Sequence, residues 1–216
     1  MHKSEVLELF PTPVYVTMMP VELSSVIPFL DEQDMNTKSD ELNFGRRSKD
    51  SYVLNKSECE GLHNFILERV QDYADNTLLY TYKSYKFSQS WVSHKEPGQH
   101  HAMHTHPNSL ISGVFYYGEE DPEIPAITFH KPVAGVNVSY LSPVYQADRR
   151  KSEYAWDSFS VNYTPGLLLL FPSYVFHSVP VNKSTKARKS IAFNVLPKGK
   201  IGDANSLTEL LFHKVI

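Results

Sequence analysis

Apolar positions along this chain follow two rhythms, and the change between them falls near residue 80. Leu62, Phe65, Ile66, Val70 and Tyr73 stand at i, i+3, i+4, i+8 and i+11. That spacing gathers them on one face of a helix, predicted over residues 56–79. Asn55, with Glu58 three residues on, has the form of a capping box at its start. A shorter helix is predicted over residues 21–30, with Pro28 as its weak point. The first segment, 6–16, is apolar but broken by Pro11 and Pro13, which suits an edge strand or an arm.

After Tyr80 the period becomes two. Residues 82–87 and 89–92 alternate as strands do. Further strand-like runs cover 110–117, 127–130, 136–140, 166–171, 175–181 and 188–196, separated by Pro, Gly, Asn or charged turns. Two helices followed by many short strands predict a mainly β, α+β domain: a β-sandwich or jelly roll with the helices packed outside one sheet. The expected organisation is a single domain over 1–216. Within it, 1–80 supports the barrel, 81–198 forms the core and 199–216 is a tail. Residues 131–157 mix strand signals with the charged run Asp148-Arg149-Arg150-Lys151. They predict a long insert reaching over the barrel mouth, with a second mouth loop over 43–51.

Composition narrows the function classes. The formal net charge is −3, which offers no global attraction to nucleic acid or an anionic membrane. The longest apolar run, Leu167 to Phe171, is far short of the roughly 20 residues that span a bilayer. The first residues lack the apolar core of a signal peptide. Cys59 is the single cysteine, so no internal disulfide forms and a reducing compartment suits the chain. A cytoplasmic protein is the expectation (host cytoplasm if the chain is phage-encoded). An exposed N-terminal strand would offer an edge for a homodimer.

The ten histidines are unevenly spread, with four between His100 and His106. His104-Thr105-His106 is an H-x-H, and on a strand the period of two would put both imidazoles on one face. A third ligand would come from a distant strand, and His177 follows the apolar run ending at Phe171. Eleven residues beyond it (188 − 177) stands Arg188. On a strand Arg188, Ser190, Ala192 and Asn194 share one face, while Ile191, Phe193 and Val195 take the other. An inward arginine is costly unless it meets an anion, and a guanidinium beside a hydroxyl grips a carboxylate well.

These residues resemble the iron(II)/2-oxoglutarate-dependent oxygenases, and in particular a family of them found in bacteria and phages. The resemblance is carried by Gln89-Ser90-Trp91, the stretch from His104 to Tyr117, Pro165 to Ser173, His177-Ser178-Val179 and Arg188 to Asn194, with Leu9 to Val14 resembling the family's start. It implies a double-stranded β-helix with Fe(II) held by His104, His106 and His177. It also implies 2-oxoglutarate bound through its far carboxylate by Arg188 with Ser190. Asn108, Ser112, Tyr116 and Asn194 would line the same pocket. The implied reaction consumes O2 and hydroxylates a small molecule or a protein side chain, releasing succinate and CO2, with no protein residue acting as a general base.

The sequence departs from the wider pattern at His106, where the usual triad has a carboxylate. Two other readings therefore stand beside the oxygenase. One is a three-histidine cupin-type dioxygenase that uses no 2-oxoglutarate. The other is a metal-stabilised binding module without turnover.

Overall fold

The computed structural model describes residues 7, 10–36, 44–131 and 156–211. Two antiparallel sheets carry the architecture. The larger has the order β1-β9-β6-β11-β4-β3-β2, where β1 is Tyr15–Met18, β2 Met35–Asn36, β3 Arg46–Ser48, β4 Tyr85–Lys95, β6 Ile111–Tyr117, β9 Leu167–Pro172 and β11 Arg188–Pro197. The smaller has the order β5-β10-β7-β8, with β5 His101–His104, β7 Ile127–His130, β8 Ser158–Val161 and β10 His177–Val179. A small ribbon of β12 (Lys200–Ile201) and β13 (Leu210–Leu211) follows. This is the predicted jelly roll.

The larger sheet is covered on both faces, which explains why every residue of β6 and β9 is buried. On its outer side lies α2 (Glu60–Asn76), whose Leu62, Ile66, Val70, Tyr73 and Ala74 are buried. They pack in one core with Phe115, Leu168, Ile191, Phe193 and Val195. On its inner side Val114, Leu169 and Phe171 meet Ile127 and Phe129 of the smaller sheet. The predicted helix face and the predicted inner and outer faces of 188–196 are those observed. Among the described residues no helix is long and apolar enough to cross a membrane.

Several local expectations change. The first helix is a 3-10 turn, Val21–Val26, running into α1 (Ile27–Asp31), and Pro28 sits in the first turn of α1, where its missing N–H is harmless. The Asn55/Glu58 capping box does not form. Asn55 closes a separate turn, Val53–Asn55, whose Val53 and Leu54 are buried, and the N-cap of α2 is Cys59. Ser90 Oγ accepts the Leu54 N–H at 2.9 Å, so tertiary anchoring of that turn overrides the local signal. Residues 46–48, expected in a loop, pair with β4 as a strand. The strand expected at 136–140, most of the 131–157 insert and residue 43 lie outside the described residues.

Residues 85–87 and 89–92 of the two predicted strands fall in one strand, β4, while 82–84 precede it, and β4 has an irregularity that matters for function. Phe87 pairs with Val195 but Gln89 pairs with Asn194, so Ser88 is a bulged extra residue. The bulge turns odd-numbered side chains from one face to the other. Tyr85 and Phe87 join the outer core, whereas Gln89, Trp91, Ser93 and Lys95 face the barrel cavities.

Candidate metal centre

His104 ends β5 and His177 begins β10, and the two are direct cross-strand partners. Their ring centroids lie 4.3 Å apart. His106 is not on the strand: the chain has already left β5, and its backbone N–H is held by Ser173 O at 3.0 Å. The H-x-H pair is thus brought together by a strand end and a tertiary anchor, not by strand alternation alone. Each of the three imidazoles offers one nitrogen, and these nitrogens all lie within 4.8 Å of one another. The Nε2 atoms of His106 and His177 are 3.2 Å apart.

The arrangement fits a metal ion on three counts. Nitrogens that each bond one ion at about 2.0–2.1 Å come to roughly 3 Å from each other. Secondly, the Nδ1–H groups of His104 and His177 donate to Ala102 O at 2.8 Å and Val175 O at 2.9 Å. That fixes the tautomer with the Nε2 lone pair available to a ligand-seeking ion. Thirdly, burial holds His177 down at about 3 and His106 at about 4, and also lowers His104. All three are neutral at pH 7, as ligands must be. His101 stacks on His104 with centroids 4.3 Å apart. It is not among the three converging residues.

Behind the imidazoles a narrow cleft of about 60 Å³ leads to Arg188 and Ser190. Arg188 is 2% exposed. Its Nε donates to Pro125 O at 3.2 Å, one terminal nitrogen to Ser190 Oγ at 3.4 Å and the other to Tyr116 Oη at 3.0 Å. The guanidinium also lies over the Tyr116 ring, 4.8 Å from its centroid. Three of its five N–H groups are used by neutral oxygens, and no carboxylate pairs with it among the described residues. A buried guanidinium with donors to spare has the geometry and charge to take a carboxylate.

The remaining candidates are divided by the fold. Asn108 and Asn194 line a wider cavity of about 700 Å³ over the imidazoles, Asn108 in the left-handed region at φ 57°. Ser112 sits deeper, bonded to Ser173 Oγ at 2.8 Å and to Asn194 Oδ1 at 2.9 Å, so it orients Asn194 rather than facing Arg188. Sequence reasoning missed Lys95 and Arg47, which line the wide cavity. Lys95 was legible as the fourth term of the series 89, 91, 93, 95. Arg47 was not, because its short strand carries no periodic signal.

Residues 89–194 match the model of a family described as "Putative 2OG-Fe(II) oxygenase". No match was found among curated proteins. Solved structures show the same fold at low identity. A Pseudomonas putida prolyl-4-hydroxylase is 14% identical over 87% of this chain and 94% of its own, with a TM-score of 0.57. HygX from Streptomyces hygroscopicus, solved with nickel, 2-oxoglutarate and hygromycin B, is 12% identical over 87% and 84%, with a TM-score of 0.58. The α-ketoglutarate-dependent epimerase SnoN reaches 0.63 at 12% identity over 87% and 80%. The matched segment, 106 of the 216 residues, holds all three imidazoles and the buried guanidinium, and over it the chain is similar to the 2OG-Fe(II) oxygenases, which are iron- and 2-oxoglutarate-dependent oxidoreductases.

Proposed function

We propose that this protein is a dioxygenase that hydroxylates a C–H bond of its substrate and converts 2-oxoglutarate to succinate and CO2. The observation that carries the reading is the convergence of His104, His106 and His177 one short cleft away from the buried Arg188, which no carboxylate meets among the described residues. Bound iron and 2-oxoglutarate supply the oxidising chemistry when present.

The protein's own residues bind, orient and exclude water. His104, His106 and His177 would hold the ion. Arg188, steadied by Tyr116 and Ser190, would bind the far carboxylate of 2-oxoglutarate and so set its near end towards the three imidazoles. Phe129 and Phe171 pack against His177, with centroids 6.4 and 4.8 Å from its ring, and keep that side dry. Asn108 and Asn194 stand on the side from which a substrate enters. No protein side chain need act as a general base. The reading puts the enzyme in the cytoplasm, in keeping with a chain whose single cysteine, Cys59, allows no internal disulfide.

Anaerobic addition of Fe(II) and then 2-oxoglutarate to the metal-free protein tests this. A weak visible charge-transfer band should appear with wild type, vanish in His177→Ala and need higher 2-oxoglutarate in Arg188→Ala. Stoichiometric iron without the band would sink the co-substrate assignment. It would favour the three-histidine dioxygenase without 2-oxoglutarate, a reading supported by the absence of a carboxylate at position 106.

A further inference from the structure

Lys95 lies where the wide cavity and the narrow cleft meet, and it lines both. It is 2% exposed. Among the described residues its ammonium donates to two neutral oxygens, Ser93 Oγ at 3.1 Å and Phe44 O at 3.3 Å. Burial, with the charge of Arg188 adding to it, pushes its pKa down to about 7. A buried ammonium in this state is costly unless an anion arrives to meet it.

The neighbours add charge of the same sign. Arg188 is the direct cross-strand partner of Lys95. Arg47 pairs with Ser93 across β3 and β4, so it stands on the same face as Lys95, and it lines the wide cavity. None of the described residues lining either cavity is Asp or Glu. Yet the chain has 24 acidic residues against 21 Lys and Arg. The described lining of the cavity therefore opposes the sign of the whole molecule.

Under the function proposed above, the excess becomes countable. Fe(II) (+2), three neutral imidazoles, Arg188 (+1) and Lys95 (+1 when protonated, as it would be once an anion meets it) sum to +4, and the 2-oxoglutarate dianion leaves +2. A carboxylate at position 106 would have removed one of these charges. Arg47 makes the total +3. The co-substrate cannot balance the site alone.

We propose that the primary substrate is an anionic small molecule, whose carboxylate or phosphate group is bound by Lys95 at the cavity floor and Arg47 on its wall, beside the three imidazoles. The cavity of about 700 Å³ is of small-molecule size. Trp91, its ring 6.1 Å from that of His106, offers an apolar wall for the part of the substrate to be oxidised. The charge count rests on the iron/2-oxoglutarate reading, whereas the cation cluster stands without it.

The test is a calorimetric titration of phenyl phosphate, benzoate and neutral phenol into wild type, Lys95→Met and Arg47→Gln. It is run on metal-free protein and, anaerobically, on protein with Fe(II) and saturating 2-oxoglutarate. We expect saturable 1:1 binding of at least one anion and none of phenol, and the stronger anion tells phosphate from carboxylate. Binding should weaken tenfold or more in Lys95→Met and severalfold in Arg47→Gln. Lys95→Met should melt at or above the wild-type temperature, since an uncompensated charge has gone, and its charge-transfer midpoint for 2-oxoglutarate should move less than about threefold. Four results would overturn the proposal: no anion binding by wild type, equal binding of phenol, anion binding unchanged in both variants, or loss of the 2-oxoglutarate band in Lys95→Met. The last would assign Lys95 to the co-substrate. If the band is missing from wild type itself, the co-substrate reading fails, and the titrations on metal-free protein still decide the cavity.

Discussion

Tyr116 shows how one hydroxyl can matter at a distance from the chemistry. It is fully buried and carries no charge, because burial raises its pKa in spite of the neighbouring guanidinium. Its hydroxyl oxygen accepts from Arg188, and its ring lies beneath the same guanidinium. Tyr116→Phe keeps the ring and removes the acceptor, so Arg188 loses one of its three tethers. The expected result is a 2-oxoglutarate midpoint raised about three- to tenfold with iron binding unchanged. That is less than the roughly 1.5–3 kcal/mol of a hydrogen bond to a charged group, because Arg188 keeps its bonds to Pro125 O and Ser190 Oγ. Titrating the charge-transfer band in the variant measures it. At this scale the sequence was informative wherever chemistry is uncommon. His104, His106, His177 and Arg188 stand out by residue type and spacing. Tyr116 was reached only through the family resemblance, and Lys95 only by its place in the alternation 89, 91, 93, 95, because neither stands out by residue type until its partners are known.

At the scale of elements, the pairing of β6 with β11 depends on one missing side chain. Gly113 faces Phe193 across the two strands. A Cβ at Gly113 would come within 2.3–2.5 Å of the Phe193 ring and 2.9 Å of Leu169 O. Phe193 is fully buried beneath α2, so the ring cannot swing aside. Gly113→Ala should therefore cost about 1–3 kcal/mol by overpacking, read as a lower urea midpoint. The damage should spread to iron binding only after β6 shifts. Helix α2 and the strands at 127–130 and 188–196 were legible because each keeps one strict period over its length. The bulge at Ser88 and the anchored turn before α2 were not. A bulge is chosen by which face of the strand meets which core, and no local residue marks it.

For the whole molecule, the buried histidines couple the site to stability. His177 and His101 are held at about 3, His106 and His94 at about 4, in each case chiefly by burial. In the unfolded chain each titrates near 6.5. Between about 6.5 and 4 the unfolded chain therefore binds more protons than the folded one, and stability falls as pH falls through that window. A group as buried as His177 contributes about 1.4 kcal/mol per pH unit there. The metal-free protein should show a steep loss of urea midpoint from pH 6.5 to 4. His94→Asn should flatten part of that slope without touching the imidazole cluster, since His94 faces the outer side and bonds Tyr117 Oη at 2.7 Å. A midpoint flat across this range would show that the imidazoles are not shielded.

The sequence by itself determined the class of this protein. The change from a 3.6-residue to a two-residue period specified helices backed onto a β-sandwich, and three histidines with an arginine at distinctive spacing specified a metal and a carboxylate. Those properties are local in the chain or written in residue types that have few other uses. Only the tertiary structure decided which cations face the cavity, which hydroxyls hold Arg188 and which face each half of β4 presents. Those depend on strand register, on one bulge, and on contacts between residues far apart in the chain, such as Arg47 with Ser93 (93 − 47 = 46 positions) and Lys95 with Arg188 (188 − 95 = 93 positions). A pattern along one strand carries no information about which residue of another strand will lie beside it.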